Sequence, residues 1–306
     1  MKKHYKVYNT FMCIVLLSAS LLSTSFMAQA FSNNTPNTNP VLLIHGFLGK
    51  SQGASYWSKF NRLLKAEYPN EYHEEGDVFW HSWDSWGGIT TRQIEKLDSV
   101  IASNISLGNS SSGKIDIVAH SFGGLLIRKY IQEKGAARIG RVVTIGTPHL
   151  GTPLARLITY CSYDLPGNEP SCSGVISSGA AQMHPHGSFV NNLNNNRPSA
   201  SIQNKFMSIR SVSDEIVPWN SSLLFGDDFY NKETCNNRNM SFTQPAPLIH
   251  MGQINEPLTV DYARKFLRDG DRSSSDNTPR NFHLRRIACL YGVTLRQAGI
   301  LLDGNP

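Results

Sequence analysis

The sequence predicts an α/β fold: a mostly parallel central sheet with helices on both faces and a small irregular cap insertion. Three observations carry this. Short apolar runs such as Val41–Ile44 and Ile115–Ala119, the second broken only by Asp116, lead into histidine followed by glycine or serine, as strands buried on both faces do. Stretches with apolar residues at helical spacing alternate with them. A Gly, Ser and Pro-rich stretch over 155–184 then follows a strand end directly, where inserted segments lie above the carboxyl edge of the sheet.

Composition narrows the class first. The chain has 306 residues, 40% hydrophobic and 17% charged, which excludes a disordered tail, a disulfide-dense miniprotein and a polytopic membrane protein. The formal charge is +6, from 29 cationic and 23 acidic residues. Three of the lysines, Lys2, Lys3 and Lys6, fall in an opening segment without acids. The remaining balance is too mild for nucleic-acid binding.

Residues 1–30 combine a cationic start, an apolar run from Phe11 to Leu22 and the small-residue ending Ala28-Gln29-Ala30. This is the grammar of a secretory signal peptide, with cleavage expected before Phe31 and a secreted product. The run of about 12 apolar residues is short of the roughly 20 that span a bilayer, and Cys13 opens it rather than standing at its cleavage end. In an oxidising compartment the four later cysteines, Cys161, Cys172, Cys235 and Cys289, admit three pairings. Cys161 with Cys172 is the most local, and one or more free thiols is the alternative.

The catalytic domain is expected over 31–269. Its first strand, Val41–Ile44, runs into the turn His45-Gly46-Phe47-Leu48-Gly49. Trp57, Phe60, Leu63 and Leu64 then recur at helical spacing, Val78–Trp80 make a second strand, and Ile94, Leu97, Val100 and Ile101 mark a second helix. A strand over Ile115–Ala119, a helix from Phe122 to Lys134 stopped by Gly135, and a strand over Val142–Ile145 continue the rhythm. After the 155–184 insertion come a strand from Phe206 ending near Ser213, a loop-like segment Pro247–Met251, and a helix opened by Pro257 and running to about Leu267. Residues 270–306 form a polar linker and a tail in which Leu284, Ala288, Tyr291, Leu295, Ala298 and Leu302 recur at helical spacing; docking on the protein's own surface or disorder is preferred there to a membrane role.

Chemistry concentrates at Ala119-His120-Ser121-Phe122-Gly123-Gly124, a strand end, a serine-bearing turn and a helix start. That is the nucleophile-elbow pattern, with Ala119 at the position where glycine is commoner. A serine hydroxyl needs a base, and the base needs a group that holds its tautomer. In hydrolases with this elbow the acid and then the histidine follow the serine in the chain. Asp214, at the end of the run from Phe206, is the candidate acid, with Glu215 and Asp227 as fallbacks. His250 is the candidate base, while His283, beside two arginines in the tail, is the weaker one. An acyl-transfer intermediate also needs two backbone donors for its oxyanion. The amide after the serine, Phe122, and the amide of Phe47 in the first turn are the candidates, and His45 is expected to hold that turn. His81 and Asp84 lie close enough to suggest a metal pair but lack further ligands, so no metal is assigned.

Taken together these residues resemble the secreted bacterial triacylglycerol lipases and esterases of the α/β-hydrolase superfamily, in particular the Bacillus and Streptomyces-type branch with an alanine-first elbow. The resemblance extends to Gly146-Thr147-Pro148-His149-Leu150-Gly151-Thr152-Pro153, to Gln182–Phe189 with Leu193-Asn194, and to Ser213–Pro218, and covers roughly Val41 to Leu267. It implies an α/β-hydrolase fold and serine-dependent hydrolysis of carboxylic esters, most of all acylglycerols, with no cofactor. A lipid or ester substrate is the implied partner, with transient contact at lipid interfaces, and the 155–184 segment is the candidate lid. An acyltransferase or thioesterase on the same triad is the alternative, followed by a hydrolase fold retained only for binding.

Overall fold

The computed structural model describes residues 39–67, 78–108, 110, 112–155, 177–211, 214–225, 231–234 (backbone only) and 250–270. The expected signal peptide, all five cysteines, most of the expected lid and the tail after residue 270 lie outside the described residues, as do Asp227 and His283.

Six strands form one sheet: β1 (Val41–Ile44), β2 (Val78–His81), β3 (Ile115–His120), β4 (Ile139–Ile145), β5 (Phe206–Ser211) and β6 (Asn231–Thr234). Their order is β2-β1-β3-β4-β5-β6, and every neighbouring pair is parallel. Parallel neighbours require crossovers, and α1 (Ser58–Glu67), α2 (Thr91–Leu107) and α3 (Phe122–Lys134) supply those between the first four strands, while α7 (Pro257–Asp269) follows the last strand. Between β4 and β5 lie the short helices α4 (Ser178–Gln182), α5 (Ser188–Asn195) and α6 (Ala200–Gln203).

The two faces of the sheet are sorted by the strand period of two. Leu42, Ile44, Ile117, Ala119, Val142 and Phe206 pack with residues of α2 and α3, among them Leu97, Leu126 and Tyr130. Their sequence neighbours Val41, Leu43, Val118, Val143, Met207 and Ile209 pack on the opposite side with Phe60 and Leu64 of α1 and Val260 and Phe266 of α7. Both faces are therefore covered, and the central strands can be apolar throughout. No helix among the described residues is long and apolar enough to cross a membrane.

The expected elements over 41–145 are all present. Beyond them, three expectations change. His250 stands in helical backbone rather than in a loop, followed by a 3-10 turn, Gln253–Asn255, that leads to Pro257 at the first turn of α7. The end of the 155–184 insertion is regular, since residues 178–182 form α4, capped by the Ser177 side chain accepting from the Ala180 amide. β5 ends at Ser211, short of the expected end near Ser213, and Asp214 is the next described residue.

Candidate active site

β3 delivers the chain to Ser121 at the carboxyl edge of the sheet, and α3 leaves from the next residue. Ser121 has φ 52° and ψ −127°, a conformation that costs an L-residue on the order of 1–3 kcal/mol and persists only where the surroundings enforce it. The flanking glycines show the enforcement. A Cβ on Gly123 would stand 2.6 Å from the His45 carbonyl oxygen and 2.7 Å from that of Ile44, and one on Gly124 would meet Thr147 Oγ1 at 2.1 Å. The helix start is thus pressed against the ends of β1 and β4. Gly46 closes on the serine from the other side, since a Cβ there would lie 2.7 Å from Ser121 Cβ.

The turn after β1 is held by His45. Its Nδ1 donates to the Gly46 carbonyl (2.8 Å), its Nε2 accepts from the Trp83 amide (3.2 Å), and the Trp83 indole donates back to the His45 carbonyl (3.0 Å). These partners fix a neutral tautomer, and burial pushes the His45 pKa down in the same direction. The Leu48 amide donates to Ser85 Oγ (2.8 Å) and Gly49 closes the turn on the Gly46 carbonyl. Among the described residues, the backbone N–H groups of Phe47 and Phe122 meet no hydrogen-bond acceptor. The two phenyl rings meet edge to face at 6.3 Å, and Phe47 also stacks on Trp86.

Asp214 and His250 come together from elements far apart in the chain. Both are buried, and His250 Nδ1 donates to Asp214 Oδ2 at 2.7 Å. The other carboxylate oxygen accepts from the amides of Ile216 (3.0 Å) and Val217 (2.9 Å), so the acid is fixed by its own loop. His250 Nε2 is buried without a partner. The serine and the histidine converge at residues 145 and 146. The Ser121 amide donates to the Ile145 carbonyl (2.8 Å), while His250 Cε1 lies 3.2 Å from where a Cβ on Gly146 would be. Of the fallbacks, Glu215 is exposed.

Three partners were not singled out from sequence. Gln253 donates to Asp214 Oδ2 (2.5 Å), sharing that oxygen with His250. Its spacing of three from His250 is the helical same-face spacing, a signal readable once the segment is known to be helical. Tyr56 and His120 form the other pair: Tyr56 Oη lies 2.5 Å from His120 Nδ1, and His120 Nε2 lies 3.2 Å from the His250 carbonyl oxygen. His120 is wholly buried, and burial followed by the proximity of His250 holds its pKa well below the usual imidazole value.

α4 covers the aromatic side of the site. Gly179 packs on Phe47 and Phe122, and its amide donates to the Trp86 carbonyl (3.1 Å). Gln182 makes a two-point contact with the backbone of Ile89, accepting at 2.7 Å and donating at 2.9 Å. The remainder of the expected lid, 156–176, lies outside the described residues. His81 is buried with Nε2 unpartnered, whereas Asp84 is exposed and accepts from the Gly87 amide. No group of three or more His, Cys, Asp or Glu that could hold a metal occurs among the described residues.

Comparison with known proteins adds to this geometry. Residues 23–159 match a family described as "Domain of unknown function (DUF7379)". The chain is 27% identical over 140 residues to a triacylglycerol lipase of Burkholderia plantarii, covering 45% of this chain and 37% of that protein. It is 28% identical over 122 residues to a triacylglycerol lipase of Pseudarthrobacter phenanthrenivorans, covering 39% and 36%. The match therefore spans little more than a third of either relative's length. Among solved structures, the propeptide form of Bacillus licheniformis lipase BlEst2 superposes with TM-score 0.51 and 17% identity, over 80% of this chain and 53% of that one. Aspergillus fumigatus lipase B gives TM-score 0.51 at 17% identity, over 78% and 55%. With the parallel sheet and the serine turn, these superpositions identify the α/β-hydrolase fold.

Proposed function

We propose that the chain is an exported serine hydrolase that cleaves carboxylic esters, with acylglycerols as its substrate class. The observation that carries the reading is the buried Asp214–His250 pair, its outer nitrogen unpartnered, beside a serine in a strained strand-to-helix turn. A histidine whose Nδ1–H is fixed by a carboxylate presents Nε2 as a base, which is what a hydroxyl nucleophile lacks at neutral pH.

In this reading Ser121 Oγ attacks the ester carbonyl carbon while its proton passes to His250 Nε2. Asp214 keeps the imidazole in the required tautomer and stabilises its cation. The carbonyl oxygen, now anionic, is received by the amides of Phe47 and Phe122, the second at the positive end of α3. Collapse breaks the bond to the alcohol, which leaves with the proton from His250. Water then repeats the sequence on the acyl-serine and releases the acid. These steps need no metal or cofactor.

Acylglycerols are favoured over small soluble esters by the surroundings. Leu48, Trp86, Leu150 and Leu154 are exposed large apolar residues, and each follows the carboxyl end of a strand, the edge at which Ser121 stands. Likeness to two triacylglycerol lipases supports the same class. Residues 1–30 serve as the signal peptide in this reading, by their three-part pattern.

The test is hydrolysis of tributyrin and triolein emulsions by the protein and by Ser121→Ala. Triolein cleavage lost in the variant supports a lipase, and cleavage confined to tributyrin makes it a short-chain esterase. Equal rates in both proteins would remove Ser121 as the nucleophile and overturn the reading, and no cleavage of either emulsion would overturn it in favour of acyl transfer, a thioester substrate or a binding role.

A further inference from the structure

The hydrogen bonds around His120 form one directed chain. The Gly46 amide can only donate, so Tyr56 Oη accepts from it, at 3.0 Å. The single phenolic hydrogen is then left for His120 Nδ1, 2.5 Å away, which must be unprotonated to accept it. His120 Nε2 consequently carries the ring's hydrogen and donates it to the His250 carbonyl oxygen at 3.2 Å. Every polar atom in the chain is satisfied by one tautomer, and all of it is buried. Protonating His120 would give Nδ1 a hydrogen that opposes the phenolic one, and burial resists that proton.

What the chain joins matters more than its satisfaction. One end is the His45–Gly46 peptide, one peptide unit before the Phe47 amide, the other is the backbone of His250, and His120 itself precedes Ser121. We propose that Tyr56 and His120 are positioning residues that hold the oxyanion turn and the base in register with the nucleophile. This rests on the ester-hydrolase reading and extends it to residues that touch no reacting atom. A side chain that only filled space between β1, β3 and α1 would not need its hydroxyl, since Phe packs the same volume.

The test uses Tyr56→Phe, which keeps the ring, and His120→Asn, whose side-chain oxygen can still accept from Tyr56 but which cannot reach the His250 carbonyl. Both are compared with the unsubstituted protein in soluble-ester kinetics and in inhibition by an alkyl boronic acid, which adds to the serine as a tetrahedral adduct. Tyr56→Phe is expected to lower kcat about 10–100-fold with KM within about twofold, and to weaken the boronic acid by the same factor. His120→Asn should lower kcat comparably, and the double variant should cost little more than either alone, because each breaks the same chain. Unchanged kcat in Tyr56→Phe, a loss expressed in KM, or additive losses in the double variant would each overturn the proposal. Absence of serine-dependent hydrolysis in the unsubstituted protein would overturn the ester-hydrolase reading, and this role with it.

Discussion

Asp214 Oδ2 accepts from His250 Nδ1 at 2.7 Å while its other oxygen is occupied by the Ile216 and Val217 amides. The carboxylate therefore has one orientation, and it can hold only the Nδ1–H tautomer of the imidazole. Asp214→Asn keeps the shape but offers an amide that can turn its NH₂ toward His250, favouring the wrong tautomer. The expected outcome is a fall of about 10³–10⁴-fold in kcat with folding retained, read from ester hydrolysis beside circular dichroism.

Gln253 shares that oxygen, and its own role is separable. Gln253→Leu leaves Asp214 with the His250 hydrogen bond and its two loop amides, so the tautomer survives while the carboxylate is less firmly held. A loss of kcat of about tenfold or less is expected, well short of Asp214→Asn. Equal losses in the two variants would show that His250 depends on Gln253 for its place.

The central strands were legible because their chemistry is local. Val41–Ile44 and Ile115–His120 are buried on both faces, and apolar runs between turn residues, broken in the second only by Asp116 before its closing His120, say so. β6 was not legible for the opposite reason: Asn-Lys-Glu-Thr at the sheet edge has no apolar run at all, and only its pairing with Ser208–Ser211 makes it a strand. The site divides in the same way. Ser121 was readable from its flanking residues, and Asp214 from its place after a strand. Tyr56 and His120 acquire meaning only from partners far along the chain, which no spacing records, and Gln253 only from its spacing to a histidine whose segment must first be known to be helical.

The contact of Gly124 with Thr147 is a second, purely steric relationship. A Cβ at 124 would overlap the threonine side chain, whose Oγ1 is buried without a partner. Gly124→Ala alone should destabilise the fold by about 1–3 kcal/mol through overpacking. Thr147→Ala removes both the atoms in the way and an unsatisfied hydroxyl, so the double variant should recover most of the loss. Denaturant unfolding of the four proteins checks this, and additive losses would contradict the contact.

Arg128 tests how a buried cation is accommodated. It donates to the Leu193 carbonyl (3.0 Å) and to Asn194 Oδ1 (2.9 Å) at the end of α5, and lies 3.3 Å from His149 Nδ1. Burial and the nearby Arg197 push its pKa down to about 9, and among the described residues its charge is met by these dipoles and by the Phe225 ring, 5.7 Å away. Arg128→Met fills similar space but leaves the Leu193 carbonyl and the Asn194 side chain without their donor. A loss of about 2–4 kcal/mol in unfolding free energy is expected, with the ester kinetics of the folded fraction little changed.

Four histidines, His45, His81, His120 and His149, are buried with pKa values lowered mainly by desolvation, that of His81 to about 4. Their sign is the same. In the unfolded chain each takes a proton near pH 6.5, whereas in the folded protein it stays neutral to lower pH. The unfolded state thus binds more protons over that interval, and stability falls as pH falls. The contribution is fully present above about pH 6.5 and is lost progressively below it, each histidine adding up to about 1.4 kcal/mol per pH unit to the slope. Unfolding free energies between about pH 7.5 and pH 5 should therefore drop steeply. His81 is the one to remove, because its Nε2 has no partner to orphan. His81→Phe should flatten the slope by about the share of one histidine while leaving the plateau near its original height, and an unchanged slope would mean that His81 takes its proton as readily in the folded protein as in the unfolded chain.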